Sequence, residues 1–161
     1  MYEARMPRPE RDGAMTSARS NQVSLAPSGV RRLGYFVAIA LSVGLLYVAN
    51  NVLEWNAAPF VTEDYERILP VLNAAFIAAI VVNVIWILYD AAWIRSLGRI
   101  ILNLIAIGAL VLTLNVFPFN FAAYTFNWEA LVKFLLLFVI LGLVVATIAE
   151  IVKLGGLFVD G

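Results

Sequence analysis

The residues with chemical potential in this chain fall into two groups. The first is a set of charges that hydropathy places at one level beside a bilayer: Asp90, Arg95, Arg99, Glu150 and Lys153. Such a set can form ion pairs that pin neighbouring helices together, each interfacial pair contributing about 0–1 kcal/mol. As a catalytic constellation it would offer only generic acids and bases. The second group is a series of amides inside apolar segments: Asn50, Asn51, Asn73, Asn83, Asn103 and Asn115. Amides in hydrocarbon need partners, which neighbouring helices supply. Asn83 and Asn103 fall at similar depth, and Asn73 and Asn115 lie near the opposite boundary. These four are the expected interhelical polar contacts, with a polar path through the membrane as the sharper alternative.

Other chemistry is excluded by composition. The chain has no Cys and no His, so disulfides, thiolate nucleophiles, Cys- or His-based metal sites and haem ligation by either residue are impossible. We read no catalytic residue, cofactor site or metal site from it. Acidic and basic residues balance, so net charge points to no nucleic-acid partner.

The elements that must position these residues follow from hydropathy. The chain is 63% hydrophobic and 14% charged, against about 45–50% and about 25% in soluble domains. Four apolar runs, about residues 33–53, 70–89, 97–116 and 131–152, with charges only near their ends (Arg99 in the third, Lys133 and Glu150 in the fourth), each match the roughly 20 helical residues that cross a bilayer. The expected fold is all-α: an integral membrane bundle of four transmembrane helices, one domain over residues 33–153. Residues 1–32 carry Arg5, Arg8, Arg11, Arg19, Arg31 and Arg32 with Pro7, Pro9 and Pro27 and no apolar periodicity. They read as a disordered arm, in which Met6 and Met15 leave the natural start open. Residues 154–161 form a short tail. The first run is about twice the length of a signal-peptide core, so it reads as a retained span.

Lys and Arg divide unevenly between the two sides of such a bundle. Arg5, Arg8, Arg11, Arg19, Arg31, Arg32, Arg95, Arg99 and Lys153 lie on one side; Arg67 and Lys133 lie on the other. The positive-inside rule then puts both termini in the cytoplasm.

Between the spans, loop 54–69 offers Thr62 as a helix N-cap, acids after it and Pro70 in the first turn of the second span. Loop 117–130 holds Phe117, Phe119, Phe121, Tyr124, Phe126 and Trp128. It reads either as folded back on the bilayer surface or as a lid for another membrane protein. Small residues spaced by four (Gly34/Ala38/Ser42, Ala74/Ala78, Ala75/Ala79, Gly142/Ala146) permit close helix approach. No charge falls in the middle third of any span, where coupled transporters usually keep one.

The segments LLYVANNVLEW with the following PF, ILPVLNAAFIAAIVVNVIWILYD and LTLNVFPFNF resemble a group of four-span bacterial membrane proteins, many of them actinobacterial. The resemblance covers about residues 33–153. It implies a multi-pass protein of the bacterial cytoplasmic (inner) membrane and carries no activity and no site. The functional expectation is a non-enzymatic accessory or stabilising subunit, its partners the lipid bilayer and other membrane protein subunits. The alternative is a small homo-oligomeric transporter or channel with an Asn-lined path.

Overall fold

A computed structural model describes residues 28–55 and 58–159. The Arg- and Pro-rich arm up to residue 27 lies outside the described residues, as do residues 160 and 161 of the tail. The chain divides into two units, Met1–Gly34 and Tyr35–Gly161; of the first, only the opening of a helix is described.

Four long helices account for nearly all of the described chain: α1 (Ser28–Asn51), α2 (Leu69–Leu88), α3 (Ala92–Val116) and α4 (Trp128–Val159). All four are long and apolar enough to cross a membrane. Three extend several residues beyond the expected apolar runs. The reason is physical: a helix continues through polar and charged flanks, where hydropathy falls, because its backbone is already satisfied. Charges on these flanks find partners, Arg95 in Asp90 and Lys153 in Glu150. Consequently α3 starts at Ala92 rather than near 97, and α4 runs from Trp128 rather than from about 131.

The interior inverts the pattern of a soluble protein. Large apolar side chains face outward, with Leu88 69%, Val152 68% and Phe138 65% exposed. In water these faces would form an adhesive surface; in a bilayer they meet lipid. On α3 and α4 the buried positions are instead small or polar, Ser96, Gly98, Ala109 and Thr113 on the one and Thr147 and Glu150 on the other, while α2 buries Val82, Asn83 and Trp86. The two threonines satisfy their hydroxyls within their own helices, Thr113 Oγ1 donating to Ala109 O (2.8 Å) and Thr147 Oγ1 to Leu143 O (2.7 Å). That removes the cost of an unpaired hydroxyl and leaves a narrow surface against which backbones can approach.

Helix α3 is the centre of the assembly. It packs most extensively on α4 and less on α2, while among the described residues the α1 backbone packs closely on no other helix. At Gly98 α3 lies tight against α2: an added Cβ would stand 2.8 Å from Val82 Cγ1 and 2.9 Å from the Trp86 ring. In the small-residue spacings on α1 and α4, nothing among the described residues lies within 4 Å of a Cβ built at Gly34 or Gly142, although Ser42 in the α1 spacing is buried.

The loops joining α1 to α2 and α3 to α4 are stapled together. Val61 and Phe119 form an antiparallel bridge, with Thr62 N–H donating to Pro118 O (3.1 Å) and Asn120 N–H to Phe60 O (2.7 Å). Thr62 does occupy an N-cap, but of a single 3-10 turn (Glu63–Arg67), and its hydroxyl makes no capping bond. Pro70 sits in the first turn of α2. Phe117 closes α3 in the left-handed region at φ 42°, directing the chain into buried Pro118.

Candidate functional site

Three clusters contain the polar side chains that the fold brings together. The first joins α1 to α2 near the loops. Asn50 Nδ2 donates to Asn73 Oδ1 (2.8 Å) and Asn73 Nδ2 donates back to Asn50 Oδ1 (3.1 Å). The second hydrogen on Asn50 Nδ2 goes to Leu46 O (2.7 Å), so that amide group uses both of its donors. At the other end of the same helix pair, the Tyr35 and Trp86 rings meet with centroids 5.5 Å apart. These two contacts join α1 to α2.

Asn73 is therefore an interhelical contact, but its partner is Asn50. Asn83, buried on α2, donates instead to Ala79 O of its own helix (2.8 Å). Among the described residues, Asn83 and Asn103 make no hydrogen bond to each other. Equal depth along two helices does not bring side chains together; rotation about each axis decides that, and depth carries no information on it. Asn115 faces outward near the end of α3.

The second cluster occupies the opposite end. Glu150 on α4 is 7% exposed. Its Oε1 accepts from Arg99 Nη1 on α3 (2.9 Å) and from Lys153 Nζ one turn along (2.9 Å). Buried Ser96 stands beside the same carboxylate. Asp90 and Arg95 form a separate pair across the α2–α3 turn, with Arg95 Nη1 also donating to Asp90 O (2.9 Å). Sequence proximity in level thus resolves into two units: Asp90–Arg95 closes a turn, and Arg99–Glu150–Lys153 ties α3 to α4.

The third cluster is the aromatic cap built by the stapled loops. Phe60 stacks on Phe121 (centroids 5.5 Å), Phe121 on Phe119 (6.1 Å), and Tyr124 meets Phe121 edge-on (6.2 Å). Lys133 on α4 pairs with Glu129 (2.6 Å) and lies 4.5 Å over the Phe117 ring, joining α4 to the end of α3. The second loop therefore folds onto the first loop as well as lying at the end of the bundle. On the first loop, burial raises the Tyr65 phenol above its ordinary value of 10.0.

Two open cavities adjoin this cap. One of about 300 Å³ is lined by Phe60, Phe121, Tyr124, Trp128 and Val132. The other, about 360 Å³, shares Phe121, Tyr124 and Trp128 and adds Asn120, Asn127 and Glu129. Among the described residues no group of His, Cys, Asp and Glu is arranged to hold a metal ion. Sequence reasoning had the aromatic residues of the second loop but not Phe60, whose place in the stack depends on the bridge between loops.

Comparison of the chain with protein-family models, with curated proteins and with solved structures finds no match.

Proposed function

We propose that this chain is a non-enzymatic accessory subunit that packs beside a larger membrane protein and stabilises it. The observation that carries this reading is the standing of α1: among the described residues it meets α2 at the Asn50–Asn73 amides and the Tyr35–Trp86 rings, and its backbone packs closely on no other helix. A helix whose backbone stands off from its neighbours leaves surface for another protein to occupy. The open positions at Gly44 on α1 and Gly142 on α4 support the same reading, because each admits the close approach of an outside helix. The Asn-lined path draws no such support. Asn50 and Asn73 are engaged with each other, and Asn83 with its own helix.

The account extends to placement. The excess of Lys and Arg on the side of Arg95, Arg99 and Lys153 supports cytoplasmic termini. The resemblance to four-span bacterial proteins supports the bacterial cytoplasmic membrane.

Photo-crosslinking tests the docking face. A photoreactive side chain placed at Ala146 on α4 should give one discrete adduct with a larger membrane protein in the native membrane. The same group at Phe138, another outward position, serves as the comparison. Adducts only to lipid, or only to a second copy of this chain, would contradict the proposal.

A further inference from the structure

The two cavities beside the aromatic cap have complementary linings and three walls in common. We propose that together they form one binding site for a bilayer amphiphile with an aliphatic chain and an uncharged, hydroxyl-rich head. This inference is independent of the accessory-subunit reading, since it concerns what the loops hold rather than what the helices pack against.

The apolar cavity suits the chain. Its volume, about 300 Å³, lies at the lower end of the roughly 300–1,000 Å³ range of small-molecule sites. Trp128 and Val132 belong to the first turns of α4, so the cavity opens where a membrane span begins. Aliphatic chains reach their heads at that depth. Tyr124 and Trp128 remain 44% and 41% exposed there, leaving broad ring faces that an alkyl chain would cover. The Phe60–Phe121 stack makes that wall rigid, which lowers the entropic cost of binding.

The adjoining cavity suits the head. Asn120 Oδ1 accepts Ala122 N–H (3.0 Å) and Asn127 Oδ1 accepts Ala130 N–H (3.1 Å). Each amide is thereby fixed in orientation, and each Nδ2 keeps its donors for a ligand. Glu129 supplies an acceptor, while Lys133 balances its charge at 2.6 Å. Fixed donors beside an acceptor match hydroxyl groups, which both give and accept hydrogen bonds. With Glu129 and Lys133 paired, the site has no net charge with which to favour either a phosphate or a quaternary ammonium over a neutral head. Aromatic faces such as Trp128 also pack well on the C–H faces of a sugar or polyol.

The test uses the full chain in lipid nanodiscs of phosphatidylethanolamine and phosphatidylglycerol, read by tryptophan fluorescence. Three chain-brominated probes are titrated: an alkyl glucoside, an alkyl phosphocholine and an alkyl phosphate. The glucoside should quench saturably, and unbrominated alkyl glucoside should reverse the quenching. The saturable part should vanish in Trp128→Phe. Val132→Phe, which fills the apolar cavity, should raise the half-saturating fraction about tenfold or more, a change of about 1.4 kcal/mol. Tyr124→Ser, at an exposed loop position, should do the same without lowering the unfolding midpoint. Quenching that rises linearly for all three probes would reduce the rings to an interfacial belt and overturn the proposal. Saturation by phosphocholine or phosphate equal to that by glucoside would overturn it as well.

Discussion

Asn50 and Asn73 exchange two amide hydrogen bonds, at 2.8 and 3.1 Å, across α1 and α2. The pair links the two helices at the end where the stapled loops begin. Replacing either residue with Leu leaves the other amide short of partners, at a cost of about 0.6 and at most about 1.7 kcal/mol. The double replacement removes the orphan too, so it should be less destabilising than the two single changes summed. A double-mutant cycle on unfolding midpoints reads this coupling. Strict additivity would show that the pair does not act as a unit.

How far the sequence anticipated this arrangement depends on what each feature requires. Hydropathy located all four helices, because bilayer thickness imposes a length that composition reports directly. It did not pair Asn50 with Asn73, since pairing depends on the rotation of each helix. Gly98 was invisible for a related reason. It belongs to no small-residue spacing, and its neighbour is a large ring, Trp86, rather than another small residue. The Arg99–Glu150 link was legible as a shared level beside the membrane, but the burial of Glu150 was not.

Gly98 should tolerate no side chain. A Cβ there would meet Val82 and the Trp86 ring at 2.8–2.9 Å, and a packed indole cannot yield as a flexible chain end can. Gly98→Ala is expected to cost about 1–3 kcal/mol through overpacking. Gly108→Ala on the same helix, where nothing lies within 4 Å, should cost nothing. Equal midpoints for the two variants would remove the close approach from the account.

At the ion cluster, the two cations are expected to back each other up. Arg99→Ala or Lys153→Ala alone leaves Glu150 one counter-charge, so each should cost about 1 kcal/mol or less. Removing both strands a buried carboxylate, and the loss should reach about 3 kcal/mol. Thermal midpoints of the two singles and the double supply the comparison. A double equal to the sum of small singles would mean that Glu150 is hydrated rather than enclosed.

Phe117 combines a left-handed backbone with a ring packed on Phe119 at 5.5 Å. Replacement by Ala removes the ring and keeps the steric penalty at φ 42°; replacement by Gly removes both. Gly should therefore be the more stable variant by about 1 kcal/mol. If Ala proves the better residue, the left-handed cap is not retained in the variants.

If the chain works as part of a larger membrane complex, native mass spectrometry of the protein extracted from its own membrane in mild detergent should find it there. One defined species is expected, in which this chain sits at fixed stoichiometry with a larger membrane protein. Gly142→Ile, which blocks the open face of α4, should release the chain from that species while the released chain keeps its own unfolding midpoint. A chain that emerges alone, or as a closed ring of identical copies, would contradict the claim.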